Sequence, residues 1–498
     1  MDAIEQLKED LREGRIDPLR LLELYVVSQQ YLHAARQRIA ELEKQVAGST
    51  TLKVDEPFSV RSEEKRQDAR GNKKSKAKPQ GRRGRFSTAD KVTLAERSED
   101  VFPDGVAKSV CQLSHTRPVW RLENGRAVLI AYRIHRGPNN RYGKIPGVLG
   151  RSEFGLEIVV AIAYLVYVVG LSFDKVCLVF NFLQNLKLKK SQADALLHQL
   201  SRHWRNEFEI LCKLLANSLV VHADETSWSL NSVWAFLSEK ARLVFFGVHK
   251  DAATLKQILD PATFTGTVIS DDAAVYKNFT TSQKCWAHLL RKAIKLTLQD
   301  PDNPDYRKFA DRLLEIYRQA CRVQHDGRLG DAGRAKKVRD LDDAVETLCG
   351  PLQMENVPSQ DGLANDYRRL VNEVLRLMVV QELFTFVTAK PVEQPNGHVQ
   401  QVGPTNNEAE RTLRSPAEAR KTGRTNKTMV GARRQTIVTS VLQSLRLYLP
   451  TFTLGSVIAE VHRWIGAGRS CFAELLESLQ IPSPEQSVLD GVLPDPSG

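Results

Sequence analysis

The residues best suited to chemistry are carboxylates in three short stretches: His222-Ala223-Asp224-Glu225-Thr226, Ile269-Ser270-Asp271-Asp272 and Asn406-Asn407-Glu408-Ala409-Glu410-Arg411. Acids placed in this way suit phosphodiester transfer without a covalent enzyme intermediate, in which two Mg²⁺ ions about 3.5–4 Å apart serve the attacking and leaving oxygens. Hard ions take oxygen ligands, and two or three carboxylates suffice because Mg²⁺ keeps several waters and draws further ligands from substrate phosphates. Asp224, Asp271 and Glu410 are the first choices. Glu225 and Asp272 are their rivals, because neighbours along a strand point to opposite faces and only one of each pair can face the ions. Glu408 and Glu410, two residues apart, cannot both be well placed on one helix face.

Around Glu410 runs a cationic series, Arg411, Arg414, Arg420, Lys421, Arg424, Lys427, Arg433 and Arg434, opposed only by Glu418. A solvated helix face accounts for part of it, but a DNA backbone must be clamped beside the acids for in-line attack, so substrate contact is the favoured reading. Asn406 and Asn407 are suited to capping that helix. Cys285-Trp286-Ala287-His288 presents a C-x-x-H pair. A structural zinc site needs four ligands, so zinc is not expected there, and His288 is assigned to a phosphate or to orienting a neighbouring group. Trp228 and Trp234 read as packing residues, with base stacking as the alternative for one of them, and His222 reads as structural.

These side chains need a scaffold. The first two stretches follow the apolar runs Leu219-Val220-Val221 and Thr267-Val268-Ile269, which puts each Asp near a strand end. Strands are expected at Leu219–Thr226, Val233–Leu237, Arg242–Val248 and Gly266–Ser270, with helices at Ala252–Leu259 and Trp286–Leu298. Three strands, a helix and a fourth strand open a ribonuclease-H-like α/β core, in which the first and fourth strands are neighbours. The third stretch reads as a helix start.

Eight segments follow from composition and periodicity. Residues 1–58 are helical, with a heptad seam through Leu21, Tyr25, Ser28, Leu32, Ala35, Ile39, Leu42 and Val46 that suits a coiled coil or hairpin. Residues 59–88 form a basic linker: from Arg61 to Arg85 there are eleven Lys or Arg and three acids, too little apolar surface for a core. Its Lys73, Lys74, Lys76, Lys78, Arg82, Arg83 and Arg85 could also contact DNA. Residues 89–150 are β-rich, with a hairpin turn at Asn124-Gly125. Residues 151–218 are helical, and Leu171–Trp204 suits a helix-turn-helix joined near Gln184-Asn185-Leu186 with Ser191 capping the second helix. The core occupies 219–300 and 401–449, split by a helical insertion over 301–400, and 450–498 is one more helix near Leu454–Trp464 with a polar tail. The fold class is therefore multidomain α+β.

A chain of 498 residues with net charge +12 and pI near 9.3 favours polyanionic partners. Seven cysteines without a CxxC pair suit a reducing cytoplasm. The apolar run Ile158–Leu171 is too short to span a bilayer, and the acidic start Met1-Asp2-Ala3-Ile4-Glu5 does not resemble a secretory signal, so neither membrane nor export is expected.

Taken in order, Val221-His222-Ala223-Asp224-Glu225-Thr226, Asp271 with Tyr276, Cys285-Trp286-Ala287-His288 and Asn406-Asn407-Glu408-Ala409-Glu410-Arg411-Thr412-Leu413-Arg414 resemble the transposases of the insertion sequence 66 family, over roughly Leu219 to Leu449. The resemblance implies a bacterial DNA transposase of the Asp-Asp-Glu type that cuts and joins the terminal inverted repeats of a mobile element to target DNA, using two Mg²⁺ or Mn²⁺ ions. By motif matching it favours Glu410 over Glu408 and assigns the triad to Asp224, Asp271 and Glu410. Arg420-Lys421 matches the start of an Arg-Lys-Asn run in those relatives, but Thr422 follows here. Relatives also commonly carry an amino-terminal cysteine zinc segment after a coiled coil; here only Cys111 and His115 lie nearby, so that module is not expected. Two DNA ends and the heptad seam suggest a homodimer or higher oligomer, with accessory proteins open as partners. The alternatives are a non-catalytic DNA-binding relic or regulator of the same fold, and a nuclease that cuts without joining.

Overall fold

The structure, a computed structural model, describes residues 87–352, 362–393 and 399–494, together with residues 14, 25–27, 29–30, 32–38 and 40. The chain divides into two units, Met1–Arg85 and Phe86–Gly498. In the first, the described residues between 25 and 40 are helical and exposed, Tyr25, Leu32 and Ala35 of the expected seam among them. The remaining seam positions and the basic run Arg61–Arg85 lie outside the described residues.

The second unit begins with α1 (Thr88–Thr93) and a small sheet of β1 (Arg97–Val101), β2 (Gln112–Glu123) and β3 (Arg126–Arg136) in the order β1-β3-β2. The β2–β3 turn is Asn124-Gly125, with φ of 50° and 79°. Two consecutive positive φ angles match the right-handed twist of the strands, which is why Asn-Gly was a hairpin signal. Four helices follow: α2 (Leu156–Tyr167), α3 (Phe173–Gln184), α4 (Lys190–His203) and α5 (Arg205–Ala216). Helix α2 is largely buried, and among the described residues no helix is long and apolar enough to cross a membrane. Ser172 caps α3, and Asn185 ends it in the left-handed conformation. Ser191 does not cap α4 as expected. It lies within the first turn, and the backbone N–H of Lys189 is bound instead by the Gln192 side chain at 2.9 Å.

The central sheet contains β4 (Val220–Ser227), β5 (Ser232–Leu237), β6 (Arg242–Val248), β7 (Thr267–Ser270) and β8 (Ser282–Lys284), with α6 (Ala252–Ile258) between β6 and β7. The order is β6-β5-β4-β7-β8; β4–β6 form an antiparallel meander, and β7 is parallel to both β4 and β8. Side-chain alternation divides the sheet between two cores. Val221, Ala223, Trp234 and Phe236 pack with the helices α2–α5, whereas Val220 and Ile269 belong to a second cluster. That second cluster joins α7 (Trp286–Gln299) to the insertion, made of α8 (Pro304–His325), α9 (Asp331–Cys349), α10 (Gly362–Val379) and the short α11 (Thr385–Thr388). The polar loop after it carries a two-residue antiparallel pair, β9 (Val392–Glu393) and β10 (Val399–Gln400).

The chain returns to the sheet as α12 (Asn407–Lys421) and α13 (Met429–Tyr448). Helix α13 covers the free edge of β6 with hydroxyls: Thr436, Ser440 and Ser444 accept the backbone N–H groups of Phe246, Val244 and Arg242 at 3.0, 2.9 and 2.9 Å. Four helical residues rise about 6 Å and two strand residues advance about 6.8 Å, so hydroxyls at i, i+4 and i+8 meet alternate strand amides. An edge that would otherwise recruit another strand is thereby closed. Beyond α14 (Leu454–Ala467) the tail is not merely polar. It forms α15 (Cys471–Ser478) and α16 (Val488–Val492), which bury Phe472, Leu476, Leu489 and Val492 in the main core.

Candidate active site

Register brings the first two acids together. The last pair between β4 and the parallel β7 is His222 with Ile269. Two residues further along each chain are Asp224, still within β4 and paired with Ala235 of β5, and Asp271, the first residue beyond β7. Asp224 accepts the N–H of Glu225 and Asp271 the N–H of Ala273, both at 3.0 Å, and among the described residues neither forms an ion pair. Burial pushes the Asp224 carboxyl up to about 7, helped by the negative charges of Glu225, Asp271 and Glu410.

The rivals are occupied elsewhere. Glu225, one residue on and therefore on the opposite face, is nearly inaccessible, accepts a hydrogen bond from the Tyr276 hydroxyl and meets Lys250 Nζ at 2.5 Å. Asp272 pairs with Arg376 on α10, tying the insertion to the β7 end. Glu408 pairs with Arg242 at the start of β6 rather than standing free.

Glu410 lies in the first turn of α12 and is held by Arg291 of α7, whose Nη2 lies 2.5 and 2.7 Å from its two oxygens. His288 Nδ1 is 3.5 Å and Cys285 Sγ 3.9 Å from Glu410 Oε1. Asn406 does not cap α12 with its side chain. It is fully buried, its Nδ2 donates to the Ala223 carbonyl at 2.7 Å, its Oδ1 lies 3.3 Å from His222 Nδ1, and its backbone N–H donates to Cys285 Sγ at 3.1 Å. One residue thus ties α12 to β4 and to the start of α7. Burial holds the His222 imidazole below its ordinary value, in keeping with a structural role.

The cations divide into two groups. Arg411, Arg414, Lys421, Arg424 and Lys427 are exposed, and Arg420 reaches back to Ser227 at the end of β4. Arg433 and Arg434, expected at the DNA, are instead buried on α13: Arg433 pairs with Asp490 at 2.6 Å, and Arg434 binds Asp194 and the Tyr167 hydroxyl, both at 2.7 Å. They join helices to the core. Trp228 and Trp234 are buried, Trp228 edge-on to Phe246, which leaves neither for base stacking. Arg291, Lys250 and Arg376 were not singled out from sequence; only Arg291 carried a signal, standing one turn beyond His288 on α7.

The family described as Transposase IS66 family matches residues 151–434, more than half of the chain. The chain belongs to the IS66 transposase family. No curated protein matches it. The IS66 match spans the helices α2–α5, the whole central sheet, the insertion and α12, and so contains all three acid-bearing stretches.

Proposed function

We propose that this IS66-family chain is a DNA transposase of the Asp-Asp-Glu type, built on a ribonuclease-H-like core, that cleaves the ends of an insertion sequence and joins them to target DNA. One observation carries the reading: Asp224 and Asp271 follow the same paired rungs of two parallel strands, and the charges of Asp271 and Glu410 both bear on the Asp224 carboxyl. Crowded carboxylates without cationic partners fit hard divalent ions, so Asp224 and Asp271 are the primary ligands for Mg²⁺ or Mn²⁺, with Glu410 joining as Arg291 yields. When bound, a pair of such ions activates the attacking oxygen and stabilises the leaving one. The chain's own residues do the rest. Asn406 fixes the distance between the α12 and β4 acids. Arg411, Arg414, Lys421, Arg424 and Lys427 are placed along and after α12 to hold a phosphate backbone, and Arg291 and His288 stand where they can pass from Glu410 to a phosphate.

The test uses labelled element ends, supercoiled target DNA and Mg²⁺. Asp224→Asn, Asp271→Asn and Glu410→Gln are each expected to lose cleavage and joining by at least about 10³-fold, the scale on which catalytic groups act, while still binding the ends. Strand transfer retained in any of the three refutes the assignment. Cuts without joining point to a nuclease, and binding without cuts by the wild type to a regulator.

A further inference from the structure

The C-x-x-H pair is too small to hold a metal alone, but the fold supplies a third ligand. Cys285 is the residue before α7 and His288 lies in its first turn, so the two share a face. Glu410 arrives from α12, and one ligand atom from each of the three lies within 4.8 Å of the others. Zinc bonds of 2.0–2.3 Å in a tetrahedron separate its donors by roughly 3.3–3.8 Å, close to the 3.5 and 3.9 Å already present here. A second observation points the same way. His288 Nδ1 is buried and makes no hydrogen bond, although it faces the other two ligands.

We propose that Cys285, His288 and Glu410 form a binding site for a thiophilic divalent ion of the zinc type. The donor set decides the class: Mg²⁺ and Ca²⁺ take oxygens, whereas thiolate with imidazole and one carboxylate selects zinc or its analogues. Three protein ligands leave a fourth position open, as in exchangeable rather than purely structural sites. Binding displaces the Cys285 proton and competes with Arg291, which now neutralises Glu410. The site does not depend on the catalytic reading. Where that reading holds, an ion here withdraws Glu410 from Asp224 and Asp271 and so acts as a brake.

Cobalt reports thiolate ligation directly through a near-ultraviolet charge-transfer band, so the full-length protein is titrated with Co²⁺ in excess Mg²⁺. A saturable band at one equivalent is expected, displaced by Zn²⁺. Cys285→Ser abolishes it while its hydroxyl keeps an acceptor for the Asn406 N–H, and a melting temperature confirms folding. Glu410→Gln weakens binding at least about tenfold, and Arg291→Gln tightens it by about tenfold, because a charge-assisted hydrogen bond no longer competes. Asp224→Asn keeps the band, which separates this site from the proposed catalytic one, since the same variant is expected to lose strand transfer. No band in the wild type, a band surviving Cys285→Ser, or Co²⁺ affinity unchanged in Glu410→Gln overturns the site.

Discussion

Asp224 pays a stability cost for its position. Its carboxyl is raised from 3.8 to about 7, chiefly by burial and then by the neighbouring acids. Between those values the folded chain holds more protons than the unfolded one, so stability falls as pH rises from about 4 through about 7, with the full penalty above 7. Asp224→Asn is therefore expected to stabilise the metal-free protein by about 2 kcal/mol at pH 8, with the advantage fading toward pH 4. Thermal melts in chelator at the two pH values check this, and a variant no more stable than wild type at pH 8 contradicts it. Asn406 behaves oppositely. Asn406→Ala removes the side-chain donor to the Ala223 carbonyl and is expected to cost about 2 kcal/mol by chemical denaturation and, under the proposed function, to lower turnover more than DNA affinity. Sequence spacing located both positions but could not separate their duties, because an Asn before a helix is ordinarily a cap and only the packed neighbour shows otherwise.

At the level of elements, the strands of the meander and the helices flanking β7 stand within a residue or two of their expected limits, since each has a clean apolar run bounded by turn residues. Strand β8 has no signature in the sequence. It is three residues, Ser282-Gln283-Lys284, all polar and all buried, so no periodicity marks it. The hydroxyl ladder on α13 was equally hidden. By sequence Thr436, Ser440 and Ser444 are only hydroxyls at helical spacing, and their burial comes from a tertiary contact with the edge of β6. Ser440→Ala leaves the buried Val244 N–H without a partner and is expected to cost about 1–3 kcal/mol. Urea unfolding of Ser440→Ala measures it, and a loss below about 0.5 kcal/mol removes the ladder's role in closing the edge.

Across the whole molecule, positive charge serves two ends. Exposed Lys421 and Lys427 are free to meet phosphates under the proposed function, whereas Arg433 and Arg434 are committed to Asp490 and Asp194. Lys421→Ala and Lys427→Ala should each reduce the slope of log affinity against log salt by about one, read by fluorescence anisotropy on element ends. Arg433→Ala and Arg434→Ala should instead lower stability by about 3 kcal/mol and leave that slope unchanged in whatever protein remains folded. The carboxy-terminal helices matter for the same reason: Asp490 on α16 holds Arg433, so the tail closes the core it was expected merely to follow.

Local pattern by itself determined the strand that carries Asp224, the strand that Asp271 follows, the helix that carries Glu410 and the hairpin at Asn124-Gly125, because apolar periodicity and turn chemistry act over a few residues. Only the tertiary structure decided which acid of each adjacent pair is free, which arginines are buried, and that Cys285, His288 and Glu410 meet. Those outcomes depend on groups distant in sequence finding or lacking a partner once packed, as Arg433 finds Asp490 at a separation of 57 and Glu410 finds Arg291 at 119. A single chain of letters carries no distance of that kind.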